Sequence, residues 1–131
     1  MFKCPCCSKL DYDACCGVYL SEKQIPQTPV ALMRSRYTAY TSANIDYIKR
    51  TMQGKALEKF NEQEAKTWAN RVKWIKLNII NIHNTLHGEG YVEFIAKFIE
   101  NGQHRAIHEI SEFRLIDGRW FYIDGVEPDD Y

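Results

Sequence analysis

No cysteine follows position 16 in this 131-residue chain, neither sign of charge is in excess, and no apolar run is long. Each absence excludes something. Lysine and arginine total 17 against 17 aspartate and glutamate, so no bulk field draws the chain to nucleic acid or to an anionic membrane. No stretch approaches the roughly 18 apolar residues that cross a bilayer, and MFKCPCCSKL lacks the apolar segment of a secretory signal. The expectation is a cytoplasmic protein with no membrane or nucleic-acid partner. The length suits one domain plus a small appendage.

Confining all five cysteines to residues 4 to 16 also argues against a disulfide framework, which would spread them to close useful loops. Adjacent Cys15 and Cys16 can scarcely bridge each other, and an odd count leaves one thiol over. In a reducing compartment such a cluster more often binds metal.

CPCCSKLDYDACCG has the chemistry for that. Four thiolates satisfy the tetrahedral, sulfur-preferring coordination of zinc at about 2.3 Å, with no position left for substrate, so the site would be structural. Cys4 pairs with Cys6 or with Cys7, and Cys15 and Cys16 form the second pair. Pro5 stiffens the first turn, and Gly17 is suited to a left-handed exit. Lys3 and Lys9 stand where they offset the negative charge of a thiolate site. Five cysteines cannot all be ligands, and spacing alone leaves CxC and CxxC both open. The segment resembles the SEC-C motif, the zinc-binding module at the C-terminus of the SecA translocation ATPase: CxC, eight residues, then CC or CH. That resemblance implies Cys4, Cys6, Cys15 and Cys16 as ligands and leaves Cys7, where the motif usually has glycine, as a spare or competing thiol.

Downstream, Val30, Met33, Tyr37 and Tyr40 recur at helical spacing after Pro29, which can open the helix. A second helix is predicted over 45 to 52, capped by Asn44, and a third within 62 to 72, where Ala65, Trp68, Ala69 and Val72 share a face. From Trp74 the period becomes two. Four antiparallel strands follow, with hairpins at EG, ENGQ and DG. The apolar phase slips between Ile79 and Ile80, which predicts a bulge. Helices followed by a bent meander make an α+β fold.

That layout resembles the nuclear transport factor 2-like cone, three helices closing a curved sheet. LMRSRYTAY, IHEISEF and RWFYIDG, together with the cysteine motif, are similar to the YchJ family of small bacterial proteins over nearly the whole chain. The resemblance implies a SEC-C motif over 1–20 and a cone over 27–131. Longer members of the family carry a second SEC-C motif after the last strand, without a counterpart in GVEPDDY. No reaction comes with the family.

Arg105, Ile107, Glu109, Ser111, Phe113 and Leu115 share one strand face, and Arg34 falls in the apolar stripe of the first helix, four after Val30 and three before Tyr37. An inward arginine and an inward glutamate each need a partner. The expectation is an Arg34–Glu109 ion pair, or a pocket in which Arg34, Tyr37, Tyr40, Glu109 and Ser111 hold a small ligand. His108 and Glu109 are neighbours on a strand and point to opposite faces. His104 and His108 stand about 13 Å apart at ~3.3 Å per residue, too far to share a metal. His83 and His87 flank a hairpin and are expected in solvent; Trp74, Trp120 and Phe121 are expected in the core. The functional expectation is a noncatalytic zinc adaptor whose motif contacts a protein partner and whose cone holds a ligand or peptide. The alternative is a cone-fold hydrolase, isomerase or dehydratase with Glu109 as base and Arg34 as anion anchor. Convex sheet faces in this fold often pair, which makes a homodimer a further expectation.

Overall fold

The structure is a computed structural model, and it describes residues 2–128. After a 3-10 turn at Tyr12–Ala14 come α1 (Gly17–Leu20), α2 (Pro29–Thr41), α3 (Ile45–Arg50), α4 (Gly54–Lys59) and α5 (Glu62–Arg71). The strands β1 (Lys73–Asn84), β2 (Glu89–Glu100), β3 (Gln103–Ile116) and β4 (Arg119–Val126) then pair in the order β1-β2-β3-β4. Every neighbouring pair is antiparallel.

The starts of α2, α3 and α5 are written in their caps. Thr28 accepts from the Ala31 amide at 3.1 Å ahead of Pro29, Asn44 from Tyr47 at 3.1 Å, and Asn61 from Glu64 at 2.9 Å. Two hairpins turn on Asn101-Gly102 and Asp117-Gly118, whose φ angles of 53°, 78°, 50° and 81° are those of the primed turns that match strand twist. The β1–β2 loop instead spans 85–88, where the Thr85 hydroxyl accepts from the His87 and Glu89 amides. Ile80 is the extra residue of a bulge between Ile79 and Asn81, and a second shift at Trp74/Lys76 bends β1 again.

Two short helices, α1 and α4, were not foreseen. Their four and six residues are too few for a 3.6-residue period to declare itself. The α4 region braces the sheet edge: Met52 bridges to Tyr122, the Gln53 amide donates to the Tyr122 carbonyl at 3.0 Å, and the Tyr122 amide to Thr51 at 2.9 Å.

The main core lies between α2 and the concave sheet face, where Leu32, Met33 and Tyr37 meet Leu77, Val92, Phe94, Ala96 and Phe113. Buried Cys4, Cys6 and Cys16 belong to this same core, so the cysteine segment is packed on the cone. Trp74 and Trp120 are half-buried and pack against this core, while Phe121 is half-buried and does not join it among the described residues. Glu93 and His108 pair on the convex face at 2.7 Å, while Glu109, one residue on, faces inward.

Candidate functional site

The first site is the cysteine cluster. A short antiparallel bridge between Lys3 and Asp11, with the Cys4 amide on Leu10 at 2.8 Å, brings Cys4 and Cys6 back toward the 3-10 turn that presents Cys15 and Cys16. The Sγ atoms of Cys4, Cys6, Cys15 and Cys16 all lie within 4.8 Å of one another, and those of Cys6 and Cys15 are 3.6 Å apart. Four thiolates at about 2.3 Å from one tetrahedral ion stand about 3.8 Å from each other, so this cluster can hold a metal ion. A hydrogen bond from the Cys16 thiol, helped by Ser8, holds the Cys6 thiol down to about 4 against the effect of burial, and the same bond with burial pushes Cys16 up.

Cys7 is outside the group. Its backbone has φ 67°, in the left-handed region where glycine is favoured, and its exposed sulfur accepts from the Leu77 amide at 3.5 Å. Gly17 is not a left-handed exit. It sits in α1, and a Cβ there would meet the Tyr12 carbonyl at 2.8 Å and its ring at 2.9 Å, so close approach, not a special φ, calls for glycine.

Helix α2 clamps the cluster. Arg34 donates to the Cys6 carbonyl at 2.6 Å, and the Thr38 hydroxyl lies 3.7 Å from the Cys4 sulfur. This corrects the expected Arg34–Glu109 pair and removes Arg34 from the pocket. The helical period misleads here because α2 is packed on nearly every side: Ser35, Arg36, Tyr37, Thr38 and Ala39 are all buried. The buried arginine is Arg36, 5% exposed. It donates to the Ile48 carbonyl at 2.8 Å and to the Thr51 hydroxyl at 2.6 Å, and stacks 4.6 Å above the Tyr122 ring. Burial draws its guanidinium below its ordinary pKa, against the pull of Tyr40 and Tyr122.

The second site is a cavity of about 140 Å³ in the cone. Tyr37, Tyr40, Trp68 and Trp74 wall one side, and Arg36, Glu109, Ser111 and Tyr122 give it a polar end. A shallower depression shares Arg36, Tyr40 and Tyr122 with it and runs out past Phe60, Glu64 and Asp124. Glu109 is oriented by two donors on one oxygen: Ser111 Oγ reaches Oε2 at 2.6 Å and Tyr122 Oη at 3.1 Å. Gly125 covers this carboxylate, since a Cβ there would stand 2.4 Å from Glu109 Oε2 and 2.3 Å from Tyr122 Oη. Burial, then the charge of Glu109, pushes the Tyr122 hydroxyl pKa up. The Trp74 indole nitrogen is sealed and has no oxygen or nitrogen partner among the described residues. The rings of Tyr37, Trp68 and Phe98 stand 5.2 to 5.4 Å away, so aromatic faces are the acceptors at hand.

The structure thus brings Tyr37, Tyr40, Glu109 and Ser111 to one cavity, puts Arg36 where Arg34 was expected, and adds Trp68, Trp74 and Tyr122. The sequence marks Trp68 and Trp74 only as apolar packing residues and does not single out Tyr122. Alternation in RWFYIDG puts it on the face of Trp120, but its meeting with Glu109 depends on the β3–β4 register shift at Glu112/Phe113, which the pattern does not reveal.

Comparison with known proteins agrees with this architecture. Residues 28–125 match the family model described as YchJ, middle NTF2-like domain. A UPF0225 protein of Serratia proteamaculans is 40% identical over 135 residues, covering 95% of this chain and 83% of that one. A solution structure of a SEC-C motif containing protein from Rhodopseudomonas palustris superposes with a TM-score of 0.88 at 35% identity, covering 96% of this chain and 98% of that one. A crystal structure of a SEC-C motif containing protein from Psychrobacter arcticus gives 0.83 at 25% identity, covering 98% and 84%. With its cysteine knuckle docked on an NTF2-like cone, the chain belongs to the YchJ (UPF0225) family.

Proposed function

We propose that this protein is a noncatalytic small-molecule-binding module whose cysteine knuckle holds a structural zinc. The observation that carries the reading is the cone cavity, where Glu109 and Arg36 both line the wall yet form no ion pair with each other among the described residues. A purely structural pair would close that gap, because burying two opposite charges apart forgoes their attraction. Four soft sulfurs with no open position suit zinc as a stabilising ion, and it would act by locking α2, one wall of the cavity, to the N-terminal segment. An enzymatic use of the same cavity would take Glu109 as base and Arg36, in place of Arg34, as the cationic group. A second reading, a protein partner on the knuckle, is favoured by Phe2 and Leu10, which are 61% and 54% exposed beside it.

The test is a ligand-detected NMR screen of single-ring compounds against the zinc-loaded protein and against Ile107→Phe, which enlarges a cavity-lining side chain. Ring compounds are expected to bind the native chain and to lose binding in the folded variant. Equal signals from both proteins would overturn the cavity reading.

A further inference from the structure

We infer that the cavity recognises a neutral, single-ring cyclic amide, a molecule that presents an N–H donor beside a C=O acceptor. The inference rests on the small-molecule reading above and names the ligand class.

Size comes first. A cavity of about 140 Å³ compares with the roughly 150 Å³ engineered cavity that accepts benzene, so it has room for one ring. Shape comes next. Tyr37, Tyr40, Trp68, Trp74, Phe94 and Tyr122 offer flat faces, and aromatic faces favour a flat partner stacked or met edge-on.

The polar end decides the rest. Glu109 uses Oε2 for both Ser111 and Tyr122, which leaves the lone pairs of Oε1 without a donor among the described residues. Arg36 spends Nη1 on Ile48 and Thr51; its Nε and Nη2 donate to nothing described. Neither those nitrogens nor Oε1 is sealed away, since Trp74 Nε1 is the one buried side-chain polar atom that lacks both a partner and open space among the described residues. Both residues line the cavity, so an unspent acceptor and an unspent donor edge belong to its wall.

Both groups are held to the same tyrosine. Arg36 lies over the Tyr122 ring at 4.6 Å and Glu109 accepts from its hydroxyl at 3.1 Å, so their relative position is fixed before any ligand arrives. One positive and one negative group together favour a guest with no net charge: an anion would be repelled by Glu109, a cation by Arg36. A ring amide meets all of this, its N–H on Glu109 Oε1 and its carbonyl on Arg36.

The experiment is calorimetric titration of the full, zinc-loaded chain with 2-pyridone, N-methyl-2-pyridone and benzene, repeated on Glu109→Gln and Ile107→Phe. In the native chain 2-pyridone should bind roughly tenfold or more tighter than its N-methyl analogue, the worth of one hydrogen bond to a charged group. Glu109→Gln carries its own control. Ser111 and Tyr122 donate to Oε2, so the glutamine carbonyl oxygen takes that place and its NH₂ replaces Oε1. A donor then stands where the acceptor was, and the preference for 2-pyridone should vanish or reverse in a variant whose thermal unfolding is little changed. If benzene or the N-methyl compound binds the native chain as tightly as 2-pyridone, the cyclic-amide inference falls and the cavity reading stands. If no compound binds the native chain better than it binds Ile107→Phe, the cavity reading falls and this inference with it.

Discussion

Replacing Arg34 separates the sequence's expectation from the structure's finding. In the structure Arg34 Nη1 donates to the Cys6 carbonyl at 2.6 Å, a contact that ties α2 to the turn carrying two cluster sulfurs. Arg34→Met keeps most of the aliphatic stem and deletes the charged donor. A hydrogen bond from a charged group contributes about 1.5 to 3 kcal/mol, and the carbonyl left behind in a half-buried setting adds to the loss. With an unfolding entropy of ~2.1 cal/mol/K per residue over 131 residues, that corresponds to a fall in melting temperature of about 5 to 11 °C. Because the lost bond orients a residue of the cysteine cluster, the zinc affinity proposed for it should fall by roughly ten- to a hundredfold, the usual effect of removing such an outer support.

Two assays read the outcome. Competition with a chromophoric chelator measures zinc affinity, and ring-compound binding measures the cavity. The expected pattern is weakened zinc with nearly unchanged ring binding, since Arg34 does not line the cavity. Lost ring binding with full zinc affinity would refute the assignment and restore Arg34 as a pocket residue.

Two other outcomes follow from the same geometry. Cys7→Ser should retain one metal per chain and Cys6→Ser should lose it by elemental analysis, because the Cys7 sulfur faces the Leu77 amide and the Cys6 sulfur lies within the cluster; the reverse result would make CxxC the ligand pair. Gly125→Ala should destabilise the chain by about 1 to 3 kcal/mol in urea unfolding and abolish ring binding, as the new methyl collides with Glu109 and Tyr122, whereas a neutral substitution would mean that the carboxylate has room to move.

What the sequence made legible follows from which signals are local. Asn44 as a cap, Asn101-Gly102 and Asp117-Gly118 as turns, and the slipped apolar phase at Ile80 each depend on a few adjacent residues, and each is where the pattern put it. The cysteine spacing is local too. Arg34 and Arg36 could not be sorted in the same way. Period-3.6 reasoning assumes one wet face, and α2 has neighbours on several: the knuckle, α3 and the concave sheet. Under those conditions a polar residue's burial is decided by the neighbour it meets. Arg36 meets the carbonyl of Ile48 and the hydroxyl of Thr51 at the end of α3, a partnership between residues far apart on the helix–turn–helix path.

The same crowding makes one helix a wall of both sites. Helix α2 presents Arg34 and Thr38 to the cysteine cluster and Met33, Arg36, Tyr37 and Tyr40 to the cavity. Its polar ties on the knuckle side include the Cys6 carbonyl and the Cys4 sulfur. An ion held by the cluster would remove conformational freedom from those cysteines and so from the helix they touch. On the other side, Arg36 fixes α2 to α3 and Tyr122 fixes Arg36 to the sheet. The cavity wall is therefore held at both ends, by the contacts of Arg34 and Thr38 with the cysteine segment at one and by a buried guanidinium at the other. A wall held in this way keeps the gap between Arg36 and Glu109 open without a ligand, and a preformed gap is the cheaper one for a small molecule to fill.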